Sequence, residues 1–265
     1  MEILFFPMGN QDLKQQRECK MKSIKSVIML MLAGILFTGL AYAEEPADKK
    51  WKDEAEFLFV QTGGNTDVRT LAFGNMLEYK FSKPLIGVWN ISVLDTKPDG
   101  DQTAERYYTD LRMDYLFTEH WYVYVLGNWL KDEFAGFDSR YTLGPGVGYK
   151  ILIGPKHFLL AEAGLAYASE DYVVEEDENF AEGRAFGKYE YAFTEKNRFS
   201  LSSEYLHDFD DNSNYKSNSE AAIISALTDI LSLKVSYELR YQNRPVPSDL
   251  EKTDTVFGAA IVVTY

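Results

Sequence analysis

Apolar and polar residues alternate along the final stretch of the chain, from Asp254 to Tyr265. A β-strand directs successive side chains to opposite faces, so every second residue shares a face. Here one face is apolar and carries an aromatic residue at each end: Phe257, Ala259, Ile261, Val263 and Tyr265. The pattern predicts a strand, which on its own fits either a soluble β-sandwich or the closing strand of an outer-membrane barrel.

The same alternation recurs along the chain and predicts twelve strands. They cover residues 52–62, 68–81, 88–95, 104–117, 121–131, 140–153, 157–168, 182–193, 198–207, 215–227, 231–242 and 254–265. The segment 121–131 is apolar on both faces, so its orientation is not predicted. A tilted strand needs about 9–11 residues to cross a membrane, and these segments have 8 to 14 residues.

The connections between these strands alternate in length. The short ones are 82–87, 118–120, 154–156, 194–197 and 228–230. The longer, mostly acidic ones are 96–103, 132–139, 169–181, 208–214 and 243–253. Only the first hairpin turn, 63–67, departs from the rule. Short turns at one end, longer loops at the other and an even strand count are typical of bacterial outer-membrane barrels, and a soluble sandwich has no reason to alternate in this way.

Aromatic residues are concentrated at two levels. One group lies beside the short turns: Tyr115, Phe117, Trp121, Tyr189, Tyr191, Phe193, Phe199 and Tyr265. A second group lies toward the long loops: Tyr107, Tyr167, Tyr205 and Tyr241. Two such levels correspond to the aromatic girdles at the two membrane interfaces. The predicted fold class is therefore all-β, a transmembrane antiparallel up-and-down β-barrel of about 12 strands with both termini in the periplasm.

The first 43 residues have the pattern of a secretory signal peptide. Lysines precede a short apolar run at 27–40, and Ala41-Tyr42-Ala43 supplies a cleavage site. Residues before Met21 are an extended n-region or an upstream start. We expect residues 1–43 to be removed, residues 44–51 to form a periplasmic tether, and residues 52–265 to form the barrel.

Charge and cysteine content exclude several classes of function. The leader holds five of the 27 Lys and Arg residues and three of the 41 Asp and Glu residues, which leaves the mature chain with a net charge of −16. A nucleic-acid partner is not expected, because it requires a basic face. The one cysteine, Cys19, lies in the leader, so disulfides and thiolate metal sites are excluded from the mature chain. No cofactor is expected.

Charged residues fall mainly on the face of each strand opposite the apolar one, which a membrane barrel directs into its lumen. The predicted lumen-lining residues are Glu78, Lys80, Arg106, Asp110, Arg112, Asp114, Glu162, Arg184, Lys188, Glu190, Glu204, Glu220, Lys234, Glu238 and Arg240, together with Lys150 and Glu182. Acids and bases nearly balance. They either pair with one another and fill the lumen, which is the favoured interpretation, or line a conducting channel of modest width.

Glycines at 144, 146 and 148 share the face that also holds Lys150. They do not form a phosphate-binding loop, since neither a Lys-Ser/Thr pair nor a helix signal follows. Small residues at every second position predict a bend or a bulky neighbour that fills the lumen.

The long loops contain clusters of acidic residues: Glu170, Asp171, Glu175, Glu176, Asp177, Glu178, Asp208, Asp210 and Asp211. Carboxylates bind Ca²⁺ and Mg²⁺, and at the outer leaflet such ions would be shared with lipopolysaccharide phosphates. The spacing fits no EF-hand, and a solvated loop is the favoured interpretation.

No catalytic residues are predicted. His207 shares a face with Ser203, but four residues along a strand separate their side chains by about 13 Å, too far for a hydrogen bond. His120 and His157 border short turns, where residues of an aromatic girdle are common.

Two segments, Thr62-Gly63-Gly64-Asn65-Thr66-Asp67 and Tyr141 with Gly144-Pro145-Gly146-Val147-Gly148-Tyr149, are similar to those of the salt-induced outer-membrane protein family. This is the YdiY-like family, classed as a domain of unknown function. The resemblance covers nearly the whole mature chain. It implies an outer-membrane β-barrel of Gram-negative bacteria and brings no substrate or catalytic residues.

Three functions follow in order of preference. The first is a structural or envelope-stress (salt-response) barrel, the second is a narrow channel for small solutes, and the third is an outer-membrane lipid-modifying enzyme. The expected partners are outer-membrane lipid, lipopolysaccharide and the barrel assembly machinery. The last of these would recognise an assembly signal at the C-terminus: Phe257, Ile261, Val263 and Tyr265.

Overall fold

A computed structural model describes residues 49–63, 69–96, 104–173 and 175–265. The predicted signal peptide and the turn after the first strand lie outside the described residues. The strands are β1 (Trp51–Gly63), β2 (Arg69–Lys80), β3 (Leu85–Thr96), β4 (Ala104–Leu116), β5 (Trp121–Asp132), β6 (Phe137–Ile153), β7 (His157–Tyr172), β8 (Glu178–Ala192), β9 (Asn197–Asp208), β10 (Tyr215–Ala226), β11 (Leu231–Gln242) and β12 (Thr253–Thr264).

These strands form one closed sheet in which each strand is hydrogen-bonded to its neighbours in the chain. Strand β12 returns to β1 and pairs with it antiparallel from Glu54↔Thr264 to Gly63↔Thr255. The predicted all-β, up-and-down antiparallel barrel of twelve strands is confirmed, and a two-sheet sandwich is excluded. In the described part of the chain the only helix is a single 3-10 turn, Glu133–Ala135, so no described helix is long and apolar enough to cross a membrane.

The barrel is apolar outside and polar inside. Large apolar side chains are exposed around the outer wall, among them Trp89, Leu111, Leu143, Leu165, Ile223 and Phe257. Many of the buried side chains are charged, among them Asp110, Arg140, Glu162, Glu170, Glu182 and Lys216. Soluble proteins seldom bury charged groups and seldom expose large apolar patches. The alternation that defines each strand therefore assigns its apolar face to the outer wall.

The segment 121–131, which the sequence could not orient, takes a definite orientation as β5. Tyr122 and Tyr124 are buried inside the barrel, whereas Trp121 and Val125 are about half exposed on the outer wall. Both faces are apolar because the inward face carries aromatic rings in place of charges.

The predicted bounds of the acidic loop, 169–181, are wrong. Strand β7 extends to Tyr172 and β8 begins at Glu178, so only 173–177 connects them. The alternation continues through 169–172 and 178–181, but its inward residues include Glu170 and Glu178. A run of acidic residues has the composition of a loop. Here, however, Arg140 and Lys216 contact Glu170, and Arg244 contacts Glu178.

Three short turns share one construction. A threonine hydroxyl at the start of each accepts backbone N–H groups two and three residues later. The threonines are Thr118, Thr194 and Thr228. Such side-chain-to-backbone bonds stabilise tight turns and help to set the register of the strands they join.

Candidate functional site

The interior of the barrel contains an extended network of ion pairs, and the inward faces of the strands place most of the predicted lumen residues within it. Arg106, Asp110, Arg112, Arg184, Glu204, Glu220, Glu238 and Arg240 line the main internal cavity. Others pair locally: Lys188 with Glu190 at 2.7 Å, Lys234 with Glu220 at 3.0 Å, Lys80 with Glu78 at 3.8 Å, and Asp114 with Arg112 at 2.6 Å.

Glu162 is the centre of the first group of contacts. Its oxygens accept two hydrogen bonds from Arg112 at 2.6 and 3.1 Å and a third from Arg184 at 2.8 Å. The hydroxyl of Tyr122 donates a fourth at 2.6 Å. Arg112 lies on β4 and Glu162 on β7, so this contact spans the interior and does not simply join adjacent strands. Because Glu162 is only 6 % exposed, its charge depends on these partners.

The rings of Tyr122 and Tyr124 occupy space that glycines on β6 leave open. A Cβ atom at Gly148 would overlap the Tyr122 ring, and one at Gly146 would overlap Tyr124. Of the two explanations for the glycine series, a bulky neighbour applies at these positions. The phenol of Tyr124 also accepts a hydrogen bond from Arg184 at 2.8 Å, and the Arg112 guanidinium lies 4.3 Å from its ring centre.

Glu170 is the centre of a second group with the same composition. It contacts Arg140 at 2.7 Å, the Lys216 ammonium group, and the hydroxyl of Tyr172 at 2.6 Å. Its side chain is completely buried. Arg140 reaches on to Glu182 at 2.7 Å. Glu162 and Glu170 thus lie eight residues apart on one strand, each with two cations and one tyrosine.

The assignment of Glu170 and Asp208 to solvated loops is wrong. Both side chains are buried, and Asp208 accepts hydrogen bonds from the Asn214 amide and from backbone N–H groups of the next loop. The sequence prediction also omitted Arg140 and Lys216. Each shares the parity of inward residues on its own strand, so extending the alternation to the strand ends would have identified them.

A third group of contacts crosses the barrel near the long loops. Arg240 pairs with Glu238 at 2.6 Å and lies 3.8 Å from Asp132, which also binds Arg106 at 2.9 Å. Arg240 is on β11 and Asp132 is at the end of β5, and these two strands are six places apart in the twelve-stranded order. The contact therefore joins opposite walls.

The connection 243–252 between β11 and β12 folds over this end of the barrel. Val246 is buried against Phe137 and Tyr172. Gly136 makes this approach possible, because its φ of +84° lies in the left-handed region and a Cβ there would overlap the Val246 carbonyl.

Arg244 connects the loop 243–252 to the start of β8 and to the loop that follows β9. Its guanidinium contacts Glu178 at 2.9 Å and Asp211 at 3.1 Å. Hydrogen bonds from the hydroxyl and backbone N–H of Ser213 hold the pKa of Asp211 below its usual value. Stability from a carboxylate with a lowered pKa is present at neutral pH and is lost as the pH falls through that value.

Replacing Arg244 by alanine is expected to loosen the loop 243–252. Residues 44–265 contain no cysteine, so in a chain that begins at residue 44 a nitroxide attached through Ser248→Cys would report on this loop alone. Its electron paramagnetic resonance spectrum should show faster motion in Arg244→Ala at neutral pH, while acidification through the lowered pKa of Asp211 should mobilise the label in the parent and change the variant little. Arg198→Ala, at the opposite end, is the control. Equal mobility with and without Arg244 would contradict this role.

The internal cavity has a volume of about 460 Å³. It extends from Tyr124 and Gly164 in the middle of the barrel to Pro245, Leu250 and Lys252 of the covering loop. Its volume lies within the usual range for small-molecule sites, about 300–1,000 Å³.

The histidines make their contacts outside this interior network. Ser203 hydrogen-bonds Ser219 at 2.9 Å, and His207 contacts Asn212 at 3.2 Å, so neither contact joins the serine to the histidine. His157 contacts the Tyr189 hydroxyl at 2.8 Å on the outer wall. In the described ranges no three His, Asp or Glu side chains are grouped to hold a metal ion, and an ion shared with lipid phosphates stays a prediction.

These features define the class of protein, which is a closed twelve-stranded barrel with an apolar outer wall and an ion-paired interior. Within that class, the chain belongs to the family described as "Protein of unknown function, DUF481", whose model matches residues 55–265. The YdiY-like assignment is confirmed. The chain is 26 % identical to the uncharacterized protein YdiY of Escherichia coli strain K12 over 246 residues, which covers 88 % of this chain and 96 % of that protein.

Solved barrels share the fold at low sequence identity. The NanC porin superposes with a TM-score of 0.54 at 8 % identity, over 79 % of this chain and 98 % of its own. The translocator domain of the autotransporter NalP from Neisseria meningitidis gives a TM-score of 0.50 at 9 % identity, over 93 % and 97 % of the two chains. At such low sequence identities the similarity shows a shared fold alone.

Proposed function

We propose that this protein is a structural barrel of the Gram-negative outer membrane whose lumen is closed to ions by its own ion pairs. The observation that carries the proposal is the contact between Arg240 and Asp132 on opposite walls, together with the chain of contacts from Arg112 through Glu162 to Arg184. Charged side chains held by one another at 2.6–2.9 Å keep the interior occupied.

The outer wall supports a membrane location. At three short turns an aromatic pair packs edge to face, with ring centres 4.8 to 5.2 Å apart: Tyr79–Phe81, Tyr115–Phe117 and Tyr191–Phe193. Aromatic rings at one level suit a membrane–water interface. The shared fold with the NanC porin and the NalP translocator supports the same location. The short-turn end, which also holds both described chain ends, would then face the periplasm.

Recording from the purified barrel in planar bilayers tests the closed lumen. The parent protein is expected to give no discrete conductance steps. A variant carrying Arg112→Ala and Arg240→Ala together should conduct, because it loses both the contact of Arg112 with Glu162 and the contact of Arg240 with Asp132. A control with Lys188→Ala and Arg198→Ala removes two positive charges that take no part in these two contacts. It should give no conductance steps. Regular steps from the parent protein would contradict the proposal.

A narrow channel for small solutes is the second candidate function, and the internal cavity favours it. A cavity of about 460 Å³ occupies part of the barrel's length. If the parent protein conducts, a change in step size caused by Arg112→Ala or Glu238→Ala would support the channel.

We propose that this structural role is part of the response of the cell envelope to salt. The family resemblance supports this, and so does an interior built from ion pairs, since buried pairs are screened far less by salt than surface pairs. A strain without the protein should lose viability in high-salt medium, and supplying the Arg112→Ala, Arg240→Ala variant should restore less growth than supplying the parent. Normal growth of the deletion strain in high salt would contradict the role.

Removal of Tyr265 is expected to impair membrane assembly more than Tyr241→Ala does. Phe257, Ile261, Val263 and Tyr265 lie on the outer face of the last strand, where assembly machinery could read them from an unfolded chain. Deleting Tyr265 also removes two backbone hydrogen bonds to Asp53, at 2.8 and 3.2 Å. Tyr265→Ala keeps those bonds and isolates the aromatic ring. The yield of heat-modifiable barrel in outer-membrane fractions is the measurement, and equal yields from Tyr265→Ala and Tyr241→Ala would count against an assembly signal.

A further inference from the structure

The arginines around the internal cavity and Lys216 are already paired with carboxylates. Each arginine in its lining contacts a carboxylate at 2.6–2.9 Å: Arg106, Arg112, Arg140, Arg184 and Arg240. Lys216 pairs with Glu170 in the same way. An anionic ligand would have to compete with an existing carboxylate for any of these cations, and that exchange gains little.

The unused hydrogen-bonding capacity of the cavity is neutral. Asp110, Asn128 and Thr142 are paired in register across three adjacent strands, β4, β5 and β6, and all three line the cavity. Neither Asn128 nor Thr142 makes a side-chain hydrogen bond to another residue in the described part of the chain. An amide offers two donors and one acceptor, and a hydroxyl offers one donor and two acceptor sites.

Asp110 extends this row with an acceptor. Its carboxylate accepts a hydrogen bond from the neutral amide of Asn90 at 2.9 Å. Asn90 is its register partner on β3, so four inward polar residues on consecutive strands form one shelf along the cavity wall. Side chains about 4.8 Å apart, the spacing of neighbouring strands, can each reach a different hydroxyl group of one sugar ring.

Strands β7 and β8 follow β6 in the barrel and continue the wall of the cavity. Strand β7 contributes Ala166 and Gly164, over which the Tyr124 hydroxyl lies, and β8 contributes Phe186, whose ring centre is 4.9 Å from the Arg184 guanidinium. The cavity volume of about 460 Å³ lies in the range of small-molecule sites and leaves room for one sugar ring.

We propose that this cavity is a binding site for a neutral polyhydroxylated solute of the sugar class, held by the shelf of Asn90, Asp110, Asn128 and Thr142. The proposal goes beyond the closed structural barrel, because a ligand can occupy the cavity whether or not the lumen conducts. A neutral ligand fits because it uses the vacant amide and hydroxyl groups and leaves the ion pairs intact.

The test uses three sugars that share a ring and differ in charge: glucose, glucuronate and glucosamine. Binding to the refolded barrel would be measured by saturation-transfer difference NMR in lauryldimethylamine oxide micelles, since a sugar-based detergent would itself compete. Glucose is expected to bind saturably and more tightly than either charged sugar. Asn128→Leu, which keeps the side-chain size, should weaken glucose binding about fivefold or more, because it removes one or two neutral hydrogen bonds.

Asn75→Leu is the matched control, because Asn75 lies on the outer wall, where it bonds Asp53 at 2.6 Å. Glucose binding should be unchanged in this variant, and heat-shifted gel mobility would establish that both variants are folded. If glucose does not bind, if glucuronate or glucosamine binds more tightly, or if folded Asn128→Leu binds glucose like the parent, the proposal is overturned. Conductance steps from the parent protein would refute the closed lumen and leave this result unaffected, so the two failures are distinguishable.

Discussion

Glu162→Gln is expected to lower the free energy of unfolding by about 3–5 kcal/mol, the usual cost of removing one partner from a buried ion pair. The substitution keeps the shape of the side chain and removes its charge. Arg112 and Arg184 would then remain buried with one fewer carboxylate between them, although they keep their contacts with Asp114 and Glu204 at 2.6 Å.

Glu190→Gln is the matched control for this loss. Glu190 also lies on the inner face and pairs with a lysine, Lys188, at 2.7 Å, but about a third of its side chain is exposed. Exposed pairs contribute about 0–1 kcal/mol, so this variant should unfold within about 1 kcal/mol of the parent. Urea unfolding in lipid vesicles, followed by tryptophan fluorescence, measures both. Similar losses from the two variants would show that burial of Glu162 does not govern its contribution.

Gly148→Leu is expected to destabilise the barrel by about 3 kcal/mol, at the upper end of the usual cost of overpacking a close-packed interior. The new side chain would overlap the Tyr122 ring, whose position is held by the hydrogen bond to Glu162. Because that bond resists movement of the ring, the overlap cannot be relieved without disturbing the ion pairs.

Two further variants separate overpacking from a general intolerance of leucine. Gly187→Leu places the same side chain where the nearest neighbouring atom is the carbonyl oxygen of Leu160, at 3.9 Å from the new Cβ, and it should cost little. Adding Tyr122→Ala to Gly148→Leu should recover part of the lost stability, because the small side chain vacates the space that leucine needs. Urea unfolding is again the measurement. A double variant no more stable than Gly148→Leu alone would refute the steric explanation.

The alternation of side chains predicted the twelve strands and, outside segment 121–131, the face that each apolar residue takes. Leu231 to Gln242 is bounded in the structure as predicted, because a full strand of strict alternation leaves no ambiguity. The prediction did not hold at the ends of β7 and β8. There Glu170 and Glu178 continue the inward series, but acidic residues in sequence resemble a solvated loop when their cationic partners, Arg140, Lys216 and Arg244, are distant in the chain.

By itself, the sequence determined which side chains point inward on every strand but β5, because the two-residue period of a strand is a local property and only β5 is apolar on both faces. Only the tertiary structure decided which of them meet. Glu162 contacts an arginine 50 residues away, and Asp132 contacts one on the opposite wall. Such contacts depend on the curvature of the closed sheet and on the space that Gly146 and Gly148 leave for Tyr124 and Tyr122. Pairing across a barrel is a consequence of closure, and no local pattern along the chain encodes it.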